Sequence, residues 1–382
     1  MGGSTLKRNR FARLTRPRLA AAVITALALT AAVGCSSSSS SGSSGTGGST
    51  TAASQKAATV TIAFGLPLGN SSNPFAWIGK YLGFFAQNNV NPVLLGGVQE
   101  PDALLIAGKI DLSINGDETT LLDAAAGKPV QTHSVYNVQN RSQYEGVVLP
   151  GSKITQLTQL KGTKIGIPAL DGTTEHYVTR VLQSGGLQNA DVKFVATGIG
   201  APMGQALKSG EVDAVFATRG QLGTLQSANY ALRFLPRPPF ANQFITGNIT
   251  ARKNISAAQL QAIKGYLRAY TESIVFAKAN PRAAMLINWH MYPQSVPKNV
   301  PFDTALNSAL QVFEAYLSYI GPSNGQYGFM PPSEMQSYAD YLGVTGKVTV
   351  TDWYTNSLVA YANNFDHQAI INMAKNYKAP TP

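Results

Sequence analysis

The residues of this chain that could do chemistry are those of a binding site. Gly172-Thr173-Thr174 opens a helical pattern, where glycine permits close backbone approach, the hydroxyls add donors, and free N–H groups attract an anion or a carbonyl oxygen. Arg219 follows the strand-like run 213–217, a place from which a guanidinium can clamp a carboxylate, sulfonate or phosphate bidentately. The turn Asn115-Gly116-Asp117-Glu118-Thr119 also joins a strand pattern to a helix pattern, making Asn115, Gly116, Asp117 and Thr119 candidate contacts. Each has a plainer alternative: Asp117 and Thr173 can act only as helix caps, and Arg219 can be solvated or bridge two lobes. Trp77 and Tyr136 are the aromatic candidates for stacking on a planar heterocycle, ahead of Phe75 and Tyr177, with a core role the alternative for all four. His133, His176 and His290 lack the spacing and carboxylate neighbours of a metal site, so neither a metal nor a cofactor is expected. Gly-x-Ser-x-Gly, Walker A and HExxH spacings are absent, which argues against an enzyme.

The first 35 residues address the chain to a compartment. Lys7, Arg8, Arg10, Arg13, Arg16 and Arg18 form a basic segment without an acid, and the apolar run 19–33 is too short for a comfortable membrane span. Residues 1–34 therefore read as a signal peptide. The ending Ala32-Val33-Gly34-Cys35 resembles the lipobox of bacterial lipoproteins, with Ala32 where that motif usually has Leu, and implies lipidation of Cys35, the chain's single cysteine. The alternative is an incidental free thiol. Subtracting the six cations of the leader from the net charge of +11 leaves +5, with no basic stripe and interleaved aromatics, so nucleic-acid binding is not expected. The Ser/Gly/Thr tract that follows, within the segment 35–57, reads as a flexible tether holding a domain roughly 25 Å from the membrane.

The elements that must position these residues follow an α/β pattern. Strands are predicted at 59–64, 91–95, 110–115 and 130–136, with helices beginning near 74, 100 and 118. A second cycle predicts strands at 164–167, 192–195, 213–217 and 231–235, with helices beginning near 174 and 201. Beyond about 246 the pattern turns largely helical. Ser256 and Gln259 form a capping-box signature, and Asn280-Pro281 stops the helix that follows. Leu105-Ile106-Ala107-Gly108-Lys109-Ile110-Asp111 matches Leu207-Lys208-Ser209-Gly210-Glu211-Val212-Asp213 as helix, left-handed glycine and strand, so the two cycles read as equivalent lobes.

The run Leu157 to Pro168, then Gly172-Thr173-Thr174 and Gly210-Glu211-Val212-Asp213-Ala214, resembles the second lobe of solute-binding proteins for nitrate, sulfonates, taurine and thiamine pyrimidine precursors. Tyr81-Leu82-Gly83-Phe84-Phe85 and Gly108 to Ser113 resemble the first lobe, while Tyr327 to Pro331 and Asp352 to Asn356 are similar to C-terminal segments of the pyrimidine-precursor branch. The resemblance implies a type II periplasmic-binding-protein fold: two α/β lobes joined by two crossing segments, placed near 144–149 and 240–246, with a helical C-terminal extension. Lobe 1 would comprise 58–143 plus 246–382, and lobe 2 would comprise 144–245. The crossings imply a hinge, and the loop 66–73 is expected to rim the cleft. Arg219 stands where relatives more often carry an acidic or aromatic residue. The pyrimidine synthases of the same superfamily carry a cysteine-rich run that this chain lacks. The function implied is an extracytoplasmic, lipid-anchored, monomeric receptor that delivers a small polar or anionic solute to an ABC permease and ATPase. A non-transport sensor and a pyrimidine-synthase-like enzyme are the alternatives.

Overall fold

The computed structural model describes residues 56–380 apart from 71–72, 99–100, 116, 171 and 244. The expected signal peptide, Cys35 and nearly all of the tether lie outside the described residues, as does Gly116.

The strands are β1 (Ala58–Phe64), β2 (Val90–Leu95), β3 (Leu112–Asn115), β4 (Thr132–Gln139), β5 (Tyr144–Val148), β6 (Lys164–Ile167), β7 (Lys193–Ala196), β8 (Ala214–Thr218), β9 (Arg233–Phe234) and β10 (Thr246–Arg252). They form two five-stranded sheets, β2-β1-β3-β10-β4 and β7-β6-β8-β5-β9. The two orders are the same order. In each, the fourth position holds an antiparallel strand supplied by the other half of the chain: β10 returns from the second sheet, and β5 enters from the first. The result is the two-lobed α/β architecture expected from the sequence.

One expectation needs correction. The segment 144–149, expected as a crossing, begins with β5, which lies between β8 and β9; the first crossing is 140–143. The segment after about 246 is largely helical as expected, but it opens with a strand the sequence did not reveal, β10 inside the first sheet. Both strands escape period-2 detection because β10 is buried along nearly its whole length with Gly247, Asn248 and Thr250 in it, and β5 carries Gly146 against the Phe216 ring.

The internal repeat has a structural meaning. Gly108 and Gly210 both take left-handed φ values, +71° and +77°, that turn the chain from helix to strand. The repeat's aspartates then play one role twice. Asp111 Oδ2 accepts from the Thr61 N–H of β1 and Asp213 Oδ2 from the Lys164 N–H of β6, each at 2.8 Å.

The first core gathers β1, β4 and β10 against the helices Phe75–Tyr81, Ala257–Ala279, Pro281–Met291 and Phe302–Leu317. Ser256 caps the longest of these by accepting from Gln259 N–H at 3.2 Å, but the Gln259 side chain bonds Asp111 instead of completing the box. Asn280 ends that helix and caps the next by accepting from Ala283 N–H at 2.9 Å, with Pro281 in its first turn. The second core gathers β5, β6 and β8 against the helix Thr173–Ser184 and also takes in Met330, Met335, Tyr338, Tyr341 and Trp353. The extension 246–382, assigned by the sequence to lobe 1, thus serves both cores.

Candidate functional site

The carboxyl ends of the parallel strands converge on a cavity of about 270 Å³, where an open α/β sheet places its ligands. One side is built from Phe64 at the end of β1, Leu66, Asn73, Val98, Ile114 of β3, and Gln139 at the end of β4. Thr246 and Gly247 begin the antiparallel β10 here, so its start meets the other strands' ends. The opposite side is built from Tyr144 at the start of β5, Thr173 at a helix start, Ile199, and Thr218 and Gln221 around the end of β8. Gln143 reaches the cavity from the first crossing, and Tyr316 from the helix Phe302–Leu317.

Several of these side chains are held in place. The Gln139 amide donates to Tyr316 Oη and, at 3.5 Å, to Gln143 Oε1, while its oxygen accepts from Thr246 Oγ1 at 3.5 Å. Gly247, with φ +69°, packs so close that a Cβ would stand 2.0 Å from Gln139 Oε1. Asn73 Oδ1 accepts from Tyr270 Oη at 3.1 Å. Tyr144 donates to Thr173 Oγ1 at 2.8 Å. The helix Thr173–Ser184 has Gly172 at its capping position, and Thr173 in its first turn lines the cavity. By contrast, Thr218 and Gln221 close a capping box over the helix Arg219–Ser227.

The sequence candidates divide sharply. Thr173 lines the cavity, beside Gly172 in the capping position and the buried Thr174. Asn115 ends β3 next to Ile114, which lines the cavity. Asp117 points away into the first lobe, where its carboxylate accepts from Ser134 Oγ at 2.7 Å and from Asn248 Nδ2. Burial raises its pKa to about 7 despite those two bonds. Burial likewise raises Glu118, against the pull of the Tyr338 hydroxyl. Thr119 is exposed on the helix Glu118–Ala125. Trp77 is 2 % exposed in the first core, its indole N–H bonded to Asn288, and Tyr136 is fully buried, bonded to Thr271 Oγ1 at 3.0 Å.

Arg219 stands at the carboxyl end of β8, but its guanidinium turns from the cavity. It lies 3.7 Å from Glu145 and over the Phe234 ring at 4.5 Å. Successive residues of a strand face opposite ways, and since Tyr144 lines the cavity, Glu145 draws Arg219 to the other face of the sheet. Glu145 also pairs with Arg237 at 3.6 Å and accepts from Tyr319. The cavity amides Gln139, Gln143 and Gln221 went unnoticed in the sequence because lone glutamines carry no motif. Their signal was positional: each lies at or close to a strand terminus.

A family model described as NMT1/THI5 like matches residues 74–284. A search of curated proteins returns no match. Among solved structures, a protein from Bordetella bronchiseptica RB50 is similar with a TM-score of 0.60 at 20% identity, covering 80% of this chain and 97% of that chain. A periplasmic sulfonate-binding protein of an ABC transporter from Methylobacillus flagellatus KT has a TM-score of 0.56 at 17% identity, covering 86% and 99% respectively. The periplasmic nitrate-binding protein from Synechocystis PCC 6803 has a TM-score of 0.54 at 14% identity, covering 85% and 92%. The shared fold is that of periplasmic binding proteins.

Proposed function

The chain belongs to the NMT1/THI5-like family, and on that premise we propose that it is the extracytoplasmic solute-binding lipoprotein of an ABC importer. It captures a small polar or anionic organic solute between its lobes and delivers it, as a monomer, to a permease and ATPase. The observation that carries this reading is the cavity itself: strand ends from two equivalent sheets face one another across a space lined by amides and hydroxyls. About nine water volumes fit there, the scale of a small metabolite. The sulfonate- and nitrate-binding proteins of the same fold support the transport role. The membrane tie rests on the lipobox-like ending at Cys35, since among the described residues no helix is long and apolar enough to cross a membrane.

Two measurements test this reading. A solute present at 100 times its Kd should stabilise the protein by about 2.7 kcal/mol in thermal melting. In cells, the full-length protein should fractionate with membranes, whereas Cys35→Ser should release or mislocalise it without lowering the melting temperature of the folded domain. A wild-type protein found soluble and unacylated would overturn the anchoring half of the proposal alone.

A further inference from the structure

The second crossing between the lobes, 235–245, contains Pro236-Arg237-Pro238-Pro239. Its three prolines supply no N–H, and a proline keeps the residue before it extended, so this stretch is poorly suited to join a neighbouring segment through a backbone ladder. Ala241 and Gln243 donate back within the stretch, to Pro238 O at 3.0 Å and Phe240 O at 2.9 Å. The side chain of Arg237 takes the place of a ladder. Its Nη2 donates to Ser142 O in the first crossing and, at 2.7 Å, to Ala241 O in the second. Its Nε donates to Asn242 Oδ1 at 2.8 Å, and its Nη1 to Tyr144 O at 3.4 Å, with Glu145 3.6 Å away. The first crossing is fastened in turn to the chain just after the helix Phe302–Leu317: Asn140 N–H donates to Tyr319 O at 2.9 Å and Arg141 Nη2 to Ser318 O at 3.0 Å. Tyr319 Oη closes the circuit by donating to Glu145.

Resting on the solute-binding reading above, we infer that Arg237 is the positioning residue of the hinge: one guanidinium holds the two crossings together and fixes the axis about which the lobes close on a solute. Hinges turn at the few residues that absorb backbone rotation. Because Arg237 grips carbonyls on both crossings and at the start of β5, the crossings turn together and not separately. Without that grip the lobes sample more open and twisted poses, and a receptor binds its solute only in proportion to the population of the pose that can close on it. Lysine does not replace this arginine. An ammonium keeps a charge near Glu145 but lacks the rigid planar fork that reaches Ser142, Ala241 and Asn242 at once.

The experiment measures the distance between the lobes by pulsed electron resonance on the full-length chain carrying Cys35→Ser, which removes its only native thiol. Spin labels go on Lys80→Cys, exposed on the helix Phe75–Tyr81 of the first lobe, and Lys208→Cys, exposed on the helix Ala201–Ser209 of the second. With Arg237 in place the unliganded protein should give a narrow distribution, and Arg237→Met and Arg237→Lys should each widen it by about twofold or more. Arg233→Met is the control and should leave the width unchanged, since Arg233 donates to Ser152 O at 3.0 Å and Ile154 O at 2.8 Å inside the second lobe. All variants are checked for cooperative melting, and Arg237→Lys carries the test alone if Arg237→Met does not fold. An unchanged width in a folded Arg237 variant, or an equal widening in Arg233→Met, overturns the inference. The measurement needs no solute, so either outcome leaves the solute-binding reading intact. A protein that no solute stabilises in thermal melting would overturn that reading, and the role of Arg237 in capture with it, whatever the widths.

Discussion

Asp117 shows how a residue with a binding-site look becomes part of the frame. Its carboxyl is 2 % exposed, shares hydrogen bonds with Ser134 and Asn248, and is raised from 3.8 to about 7, mainly by burial. Between roughly pH 4 and pH 7 the folded protein therefore holds a proton that the unfolded chain has released. The sign follows: the contribution of this group to stability falls as pH rises through that window, by on the order of 2–4 kcal/mol, and is level above it. Glu272, raised to about 7 by burial, acts in the same direction. Asp117→Asn keeps the shape and removes the titration, so its melting temperature should fall less than the wild type's between about pH 5 and pH 7.5. Parallel pH profiles for the two proteins would show that Asp117 is ionised throughout. At this scale the sequence revealed which residues sit at strand ends but not which way they turn. Arg219 is at the end of β8 as expected, yet its orientation depends on Glu145, a residue of a strand that the pattern did not reveal. Trp77 and Tyr136 have core partners, Asn288 and Thr271, distant in sequence.

At the scale of elements, the short apolar strands and the helices between them were legible because each carries its own period and its own stop, as Gly108 and Gly210 do. The inserted strands were not. Asn248 in β10 is fully buried, and its polarity is tolerated only because Asn137 and Asp117 supply hydrogen bonds from other elements. A single sequence offers no local trace of such compensation. Gly247 gives this strand a test. Its φ of +69° disfavours any side chain, and a Cβ would also displace the Gln139 amide from the cavity wall. Gly247→Ala should cost about 1–2 kcal/mol of stability for the left-handed conformation and weaken the identified solute at least as much as Gln139→Leu does. Calorimetry on a variant that still melts cooperatively reads both effects. Unchanged affinity would mean that Gln139 is not a ligand contact.

For the whole molecule, the C-terminal segment changes what two crossings would allow. It runs beside β4, the outer strand of the first sheet, where Ser134 N–H donates to Trp353 O and Thr355 N–H donates to Ser134 O, both at 2.8 Å. Asn137 N–H likewise donates to Gly328 O at 2.9 Å. These bonds cover an otherwise open edge. The same segment sends Tyr338, Tyr341 and Trp353 into the second core, where Tyr341 stacks on Phe240 with ring centroids 6.3 Å apart. Rotation of one lobe against the other must therefore shear this aromatic contact as well as flex the segments 140–143 and 235–245. Packed interfaces resist gradual deformation, so the contact should limit closure on ligand. Tyr341→Ala removes the grip on the second core while leaving the bonds along β4 in place, at a cost of about 3–5 kcal/mol if it behaves as other large aromatic truncations do. X-ray scattering should then show a modest contraction of the wild-type protein upon saturation with its solute, and a larger one for Tyr341→Ala, whose unliganded form should be the more open. Equal contraction in the two proteins would show that the C-terminal segment rides with one lobe and exerts no restraint on the hinge.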